Sequence, residues 1–219
     1  MKEWLEYQFK NQVVEFDWDY ASRPIDNVYS VIGPVASKLK ELYRAGQLNI
    51  REGNFFDENY ISRLEASDMT NQEIKKMFED SQYKDLLANS NVDQLIIPDL
   101  MQKYLEKNLA DKLRLVSNID MAVHLQKPGQ YILWHIDRSK FKEFGHDIDV
   151  RKDPPYQKFL IFFDDWTDGQ CFQMGKNFIK WKKGDVFTWN QRDVPHGSCN
   201  FGFDDRWVLR ISGRKAVDL

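Results

Sequence analysis

The feature that most constrains the fold is a series of short strand-like runs in the second half of the chain. From about Leu115 onward, runs rich in β-branched and aromatic residues recur, separated by turn signals such as Pro128-Gly129 and Asp168-Gly169. Most of the intervals are too short for a helix, which favours a sandwich or jelly-roll barrel over a parallel α/β sheet. The predicted strands cover residues 119–126, 130–137, 158–164, 170–174, 177–181, 185–189, 196–200 and 206–212.

The first half of the chain shows helical periodicity instead. Apolar residues recur at helical spacing over 35–43, where Pro34 suits a first turn, and again after Pro98. The pattern Thr70-Asn71-Gln72-Glu73 is a capping box and predicts a further helix. Residues 49–56 are predicted to form a short strand, and residues 1–30 an extended lead-in. We therefore expect residues 1–114 to form a mainly helical region that packs on a barrel of residues 115–219, within one structural domain.

Composition limits the class of protein. With 42% hydrophobic and 30% charged residues, the chain of 219 residues is typical of a folded globular protein. A net charge of −3 disfavours nucleic acid as a partner, and no apolar run reaches the length of a signal peptide or a membrane span. The only cysteines, Cys171 and Cys199, make no disulfide framework, which fits a reduced cytoplasmic setting.

Three candidate metal ligands occur on two of the predicted strands. The period of a strand puts His135 and Asp137 on one face, and His196 begins a later strand. Two histidines and one carboxylate are the donor set of facial-triad Fe(II) sites, which leave coordination positions open for other ligands. A His-x-Asp pattern alone is short enough to arise by chance, and His196 could be an ordinary half-buried histidine. The residues around His196 decide between these interpretations.

The run Gly184-Asp185-Val186-Phe187 precedes His196, and the run Arg206–Gly213 follows it. With these residues in this order, the sequence resembles the Fe(II)/2-oxoglutarate-dependent dioxygenase superfamily over roughly residues 115–213. The resemblance leaves room for its prolyl-hydroxylase-like branch. It implies a double-stranded β-helix, that is, a jelly-roll or cupin-like barrel. The expected fold class is therefore α+β, with this barrel buttressed by N-terminal helices.

The resemblance also implies roles for individual residues. His135, Asp137 and His196 would be the iron ligands at the catalytic centre, on the second and seventh core strands. Arg206, on the eighth, would bind the far carboxylate of 2-oxoglutarate, to which the planar guanidinium can donate two parallel hydrogen bonds. Arg210 is a second candidate for that carboxylate or for an acidic group of the prime substrate. Its alternative is a salt bridge near the barrel mouth.

Two further residues are candidates for cosubstrate binding. Strand alternation puts Tyr131 on the face of His135, and a phenol near the cosubstrate carboxylate recurs in the family; the alternative is a core tyrosine with a local hydrogen bond. Ser212 forms an Arg-x-Ser pattern with Arg210, which some branches use for the same carboxylate. The charged segment 138–157 follows Asp137 directly and is predicted to be a lid or substrate-binding loop.

The activity implied by the resemblance is that of a hydroxylase that consumes 2-oxoglutarate and dioxygen and releases succinate and carbon dioxide. The prime substrate stays open among amino acids, peptide side chains, small metabolites and modified nucleotides. A non-catalytic barrel is one alternative, but it predicts that a ligand or the arginine is missing. A cupin-like metal-binding barrel that does not use 2-oxoglutarate is another, and such proteins generally use more histidine ligands than this chain arranges.

Overall fold

The computed structural model describes residues 28–54, 91–135, 156–175, 177–189 and 196–215, which form two helices and ten strands. No helix within these ranges is long and apolar enough to cross a membrane. The elements are α1 (Val28–Arg44), β1 (Ile50–Asn54), β2 (Asn91–Leu95), α2 (Asp99–Leu113), β3 (Leu115–Gln126), β4 (Tyr131–His135), β5 (Tyr156–Phe162), β6 (Gln170–Met174), β7 (Asn177–Phe178), β8 (Val186–Trp189), β9 (His196–Asn200) and β10 (Arg206–Lys215).

The strands form two antiparallel sheets. A six-stranded sheet has the order β1-β2-β3-β10-β5-β8, and a four-stranded sheet has the order β4-β9-β6-β7. If β3 to β10 are counted as core strands one to eight, the two sheets read 1-8-3-6 and 2-7-4-5. This order is that of a double-stranded β-helix, or jelly roll. The expected fold class is confirmed.

The two faces of the six-stranded sheet bury different sets of side chains. On β10, Trp207, Leu209 and Ile211 belong to a core cluster that also contains the buried faces of α1 and α2. Because strand side chains alternate, the intervening residues point to the opposite face, where Val208 joins a second cluster. The helices therefore cover the outer face, and the second cluster fills the space between the sheets.

This inner cluster is largely aromatic. Phe162 on β5 stacks on Trp181 with ring centroids 4.1 Å apart, and it meets Phe187 edge-on at 5.5 Å. Phe172 from the four-stranded sheet packs against the rings of Phe162 and Phe187. Such pairs add about 0.5–1.5 kcal/mol each beyond the area that they bury. The middle of the barrel is thus a packed apolar core, and polar side chains lie beside it.

A tight turn links β9 to β10 and sets the position of the first residue of β10. Asn200 donates from Nδ2 to the carbonyl oxygens of Gln126 and Asp204, at 2.7 and 2.8 Å. Gly169 has a φ of +89°, and a Cβ there would lie 2.5 Å from the backbone nitrogen of Gly202. Only glycine allows this close approach of the two loops.

The described strands from β3 onward lie where the sequence predicts them, and α2 follows Pro98 as expected. The prediction that residues 28–30 have an extended backbone was wrong, because α1 begins at Val28 and contains Pro34 in its interior. The buried residues Val28, Val31 and Ile32 extend the helix against the core, and this packing outweighs the backbone hydrogen bond that proline removes.

Strand β2 was not predicted. It pairs with β1 and β3, so the first half of the chain contributes two strands to the same sheet as the barrel core. The division of the chain at 114/115 stays a prediction. The predicted helix at Thr70 and residues 1–27 lie outside the described residues, as does most of the predicted lid over 138–157.

Candidate active site

His196 is the buried first residue of β9, in the four-stranded sheet. In the strand register it lies opposite Met174 on one side and opposite His135 on the other. Residues directly opposite in an antiparallel pair are near neighbours on adjacent strands. Two of the three predicted ligands therefore occupy facing positions on neighbouring strands.

The register between β4 and β9 shifts by one residue between Ile132 and His135. Ile132 lies opposite Ser198, so without the extra residue Trp134 would face His196. A β-bulge of this kind re-aims one part of a strand relative to the rest, and bulges are common beside active sites. Here the irregularity brings the position of His135 opposite His196.

The same shift changes the expectation for Tyr131. Tyr131 lies opposite Cys199, on the face opposite to that of Ser198 and His196. Strict alternation does not hold across a bulge, so the expectation that Tyr131 and His135 share a face stays a prediction. A cosubstrate role for Tyr131 stays a prediction that the register does not support. Burial raises the pKa of the Tyr131 phenol.

Asp137 lies outside the described residues. Within the described ranges no group of three or more histidine, cysteine, aspartate or glutamate side chains is placed to hold a metal ion. The complete triad of His135, Asp137 and His196 therefore stays a prediction.

Arg206, the first residue of β10, is only 6% exposed and points into the space between the sheets. Its Nη2 donates to Ser198 Oγ at 2.9 Å, its Nη1 donates to the carbonyl oxygen of Cys171 at 3.1 Å, and its guanidinium lies 5.7 Å from the Trp181 ring centroid. Its buried Nε has no hydrogen-bond partner. Burial lowers the pKa of Arg206 to about 10, so the group is charged at neutral pH.

None of these contacts neutralises Arg206, and no carboxylate of the described residues pairs with it. A buried charge is costly unless it is paired and fully hydrogen-bonded. A small carboxylate that entered this space would supply the missing negative charge and could accept from the unused Nε. The environment of Arg206 is therefore suited to an anionic ligand.

Arg206 forms a polar cluster with Gln126 and Ser198, and sequence reasoning missed the last two. Gln126 lies opposite Arg206 on β3, is fully buried, and donates from Nε2 to Ser198 Oγ at 3.3 Å. Its Oε1 has no partner. Ser198 Oγ thus accepts from two donors, which leaves its own proton to donate elsewhere. The signal for Ser198 was its place two residues after His196, on the same face of one strand.

Arg210 shares the inner face of β10 but has a different environment. Its Nη2 donates to Asp120 Oδ2 in an ion pair, and its Nη1 donates to Ser212 Oγ at 3.1 Å. The Asp120 carboxylate is 50% exposed. This is the salt bridge that the sequence offered as the alternative for Arg210, and Ser212 supports that pair. Ligand-binding roles for Arg210 and Ser212 stay predictions.

The chain is similar to solved structures at low sequence identity. No family model matches the chain, and no curated protein matches it. Among solved structures, the chain is similar to a prolyl-4-hydroxylase from Pseudomonas putida, with a TM-score of 0.46 and 15% identity over 90% of this chain and 92% of that one. A viral collagen prolyl hydroxylase from Paramecium bursaria Chlorella virus-1, in complex with 2OG, gives 0.41 and 16% over 76% and 96%.

Proteins from the wider group of barrels are similar at a lower level. A conserved protein with a double-stranded β-helix domain from Klebsiella pneumoniae has a TM-score of 0.31 and 16% identity, over 48% of this chain and 74% of that one. Scores this low carry no functional argument. The fold assignment rests on the strand order of the two sheets.

Proposed function

We propose that this protein is an Fe(II)- and 2-oxoglutarate-dependent oxygenase that hydroxylates a small-molecule or peptide substrate, with succinate and carbon dioxide as coproducts. The observation that carries the proposal is Arg206, a buried guanidinium without an acidic partner among the described residues, on the strand that follows β9. His135, His196 and Arg206 lie on core strands two, seven and eight, which is the distribution implied by the sequence resemblance.

The residues present fit an iron ion. His135 and His196 are directly opposite each other, imidazole nitrogens are suitable ligands for Fe(II), and Asp137 would supply the carboxylate. When bound, the metal with 2-oxoglutarate and dioxygen would supply the oxidative chemistry that decarboxylates the cosubstrate and transfers one oxygen atom to the substrate.

The protein would bind and orient the cosubstrate. Ser198, which contacts Arg206, lies two residues from His196, about 7 Å along the strand. A five-carbon dicarboxylate can therefore reach from the metal ligands to the guanidinium. Arg206 would donate to its far carboxylate, and Ser198 would donate its free hydroxyl proton to the same group.

The apolar core beside this cluster would exclude water. Val208 follows Arg206 on the inner face of β10, and it packs with Phe162 and Trp181. Closing a site with apolar side chains strengthens the electrostatic interactions inside it and limits side reactions of the cosubstrate.

The direct test is turnover. Purified protein supplied with Fe(II), 2-oxoglutarate and dioxygen should release succinate, and His196→Ala should lower this release by at least about 100-fold because it removes a metal ligand. The matched control is His124→Ala, which removes a histidine of β3 that is not a predicted ligand and should leave iron binding intact. Iron content shows whether each variant keeps the metal, and circular dichroism of both variants shows whether the fold is kept.

A cupin-like barrel that does not use 2-oxoglutarate gives a different result in the same experiment. It would bind metal but neither bind 2-oxoglutarate nor release succinate. Metal binding without any 2-oxoglutarate binding would therefore reject the proposal in favour of that alternative.

A further inference from the structure

The two cysteines of the chain lie directly opposite each other on adjacent strands. Cys171 on β6 and Cys199 on β9 are partners in the strand register, and both are free and half-buried. Their neighbours Phe172 and Ser198 form the next pair, and these point inward. The cysteine pair therefore lies on the outer face of the four-stranded sheet, behind the polar cluster at Arg206.

This arrangement suits a disulfide bond. Directly opposite residues of an antiparallel pair have Cα atoms about 4.5 or 5.5 Å apart. Both values fall within the range of about 4.4–6.8 Å that disulfides require. The two sulfur atoms could therefore bond while the strands stay paired, and the bond would reset the local spacing of β6 and β9 to the geometry that a disulfide requires.

The pair is also linked to Arg206 through its hydrogen bonds. One acceptor of the guanidinium is the carbonyl oxygen of Cys171 itself, and the other is the hydroxyl of Ser198, the residue before Cys199. A change in the spacing of β6 and β9 at the cysteines therefore moves both groups that hold Arg206. This link gives the cysteine pair a route to the cosubstrate site.

We propose that Cys171 and Cys199 form a reversible disulfide on exposure to a peroxide, and that the disulfide weakens 2-oxoglutarate binding by displacing the acceptors of Arg206. The second half of the proposal rests on the proposed function, whereas the first half does not. Disulfides inside reducing compartments are typically transient and redox-sensing, so a reversible bond agrees with the expected cytoplasmic setting.

The chemistry balances with hydrogen peroxide as the oxidant. The thiolate of one cysteine attacks a peroxide oxygen, the O–O bond breaks, and the products are a sulfenic acid and water once the leaving hydroxide takes a proton. The second thiol then attacks the sulfenic sulfur, its proton goes to the departing hydroxyl, and a second water leaves. Two electrons pass from the sulfurs to the peroxide, and one S–S bond forms.

Burial, together with the neighbouring Cys171, raises the pKa of Cys199 to about 11. Cys199 is therefore protonated at neutral pH, which lowers its own reactivity with peroxide, because the thiolate is the nucleophile.

The first experiment measures the bond itself in the full chain. Reduced protein treated with hydrogen peroxide should lose both free thiols together and about 2 Da in intact mass, without forming a disulfide between chains. Dithiothreitol should restore both the thiols and the mass. Cys171→Ser and Cys199→Ser are matched controls, and each should fail to form the intramolecular bond. Addition of oxygen atoms to separate cysteines, a disulfide between two chains, or unreacted thiols would overturn the proposal.

The second experiment measures 2-oxoglutarate binding by calorimetry in the reduced and oxidised protein, with Fe(II) present. The dissociation constant should rise by roughly fivefold or more on oxidation. Cys171→Ser should show no such change after the same treatment. Equal binding in the two states would overturn only the link between the disulfide and Arg206. Absence of binding in both states would overturn that link together with the proposed function.

Discussion

Two arginines on one face of β10 have opposite environments. Arg206 is buried and contacts a backbone carbonyl, a hydroxyl and an aromatic ring, whereas Arg210 is paired with the exposed carboxylate of Asp120. They are four residues apart, about 13 Å along the strand. His196 lies two residues from Ser198, the hydroxyl partner of Arg206. The proposed metal ligands His135 and His196 are therefore nearer to Arg206, for which the described residues provide no acidic partner.

The two arginines differ in what offsets the free-energy cost of removing their charge from water. A partly exposed ion pair such as Arg210–Asp120 costs little to form and contributes about 0–1 kcal/mol. A buried guanidinium such as Arg206, with no counter-ion among the described residues, loses hydration and gains little in return, which makes it a candidate for a functional group. The same residue type on the same strand face is thus paired with a carboxylate at position 210 and buried without one among the described residues at position 206.

Substitution of each arginine in turn should give the largest difference between the two positions. Arg206→Ala should weaken 2-oxoglutarate binding by roughly 30-fold or more, because it removes the buried partner of the cosubstrate carboxylate. Arg210→Ala is the matched control and should change the dissociation constant by less than about threefold, since this arginine is occupied by Asp120. Calorimetric titration of 2-oxoglutarate measures both. The reverse ranking would assign the cosubstrate to Arg210.

A smaller effect should follow from the hydroxyl partners of the two arginines. Ser198→Ala removes a hydrogen-bonding group that touches Arg206, and it should weaken 2-oxoglutarate binding by about fivefold to tenfold, as expected for one hydrogen bond of about 1 kcal/mol. Ser212→Ala removes the corresponding group beside Arg210 and should leave binding unchanged. If the two variants behave alike, Ser198 does not take part in cosubstrate binding.

The smallest expected effect concerns the surface ion pair. Asp120→Asn removes the carboxylate that pairs with Arg210, and it should lower the free energy of unfolding by at most about 1 kcal/mol, with the loss reduced at high salt. Denaturant unfolding at two salt concentrations measures this. A loss of several kcal/mol would mean that Arg210 is as dependent on a counter-ion as a buried charge.

The sequence allowed most of the barrel to be predicted, because its strands are short, carry strong β-formers and are separated by glycine and proline turns. Strand β2 (Asn91–Leu95) was missed since it has few residues with high β-propensity; its pairing with β1 and β3 makes it a strand. The start of α1 was missed because Pro34 is a local signal against helix interiors, and burial of Val28 and Ile32 overrides it.

Local patterns were enough to predict where the strands lie and which residues are candidate metal ligands, because side-chain alternation and turn chemistry act over a few residues. The carboxylate-binding role of Arg206 was implied by the family resemblance and not by local patterns. Three features depended on tertiary structure. The bulge in β4 sets which residue of that strand lies opposite His196, and strand pairing brings Cys171 opposite Cys199. The sheet arrangement also pairs Arg210 with Asp120, whereas no acid of the described residues pairs with Arg206. Each of these is a contact between residues far apart in the chain, and no local period encodes such a contact.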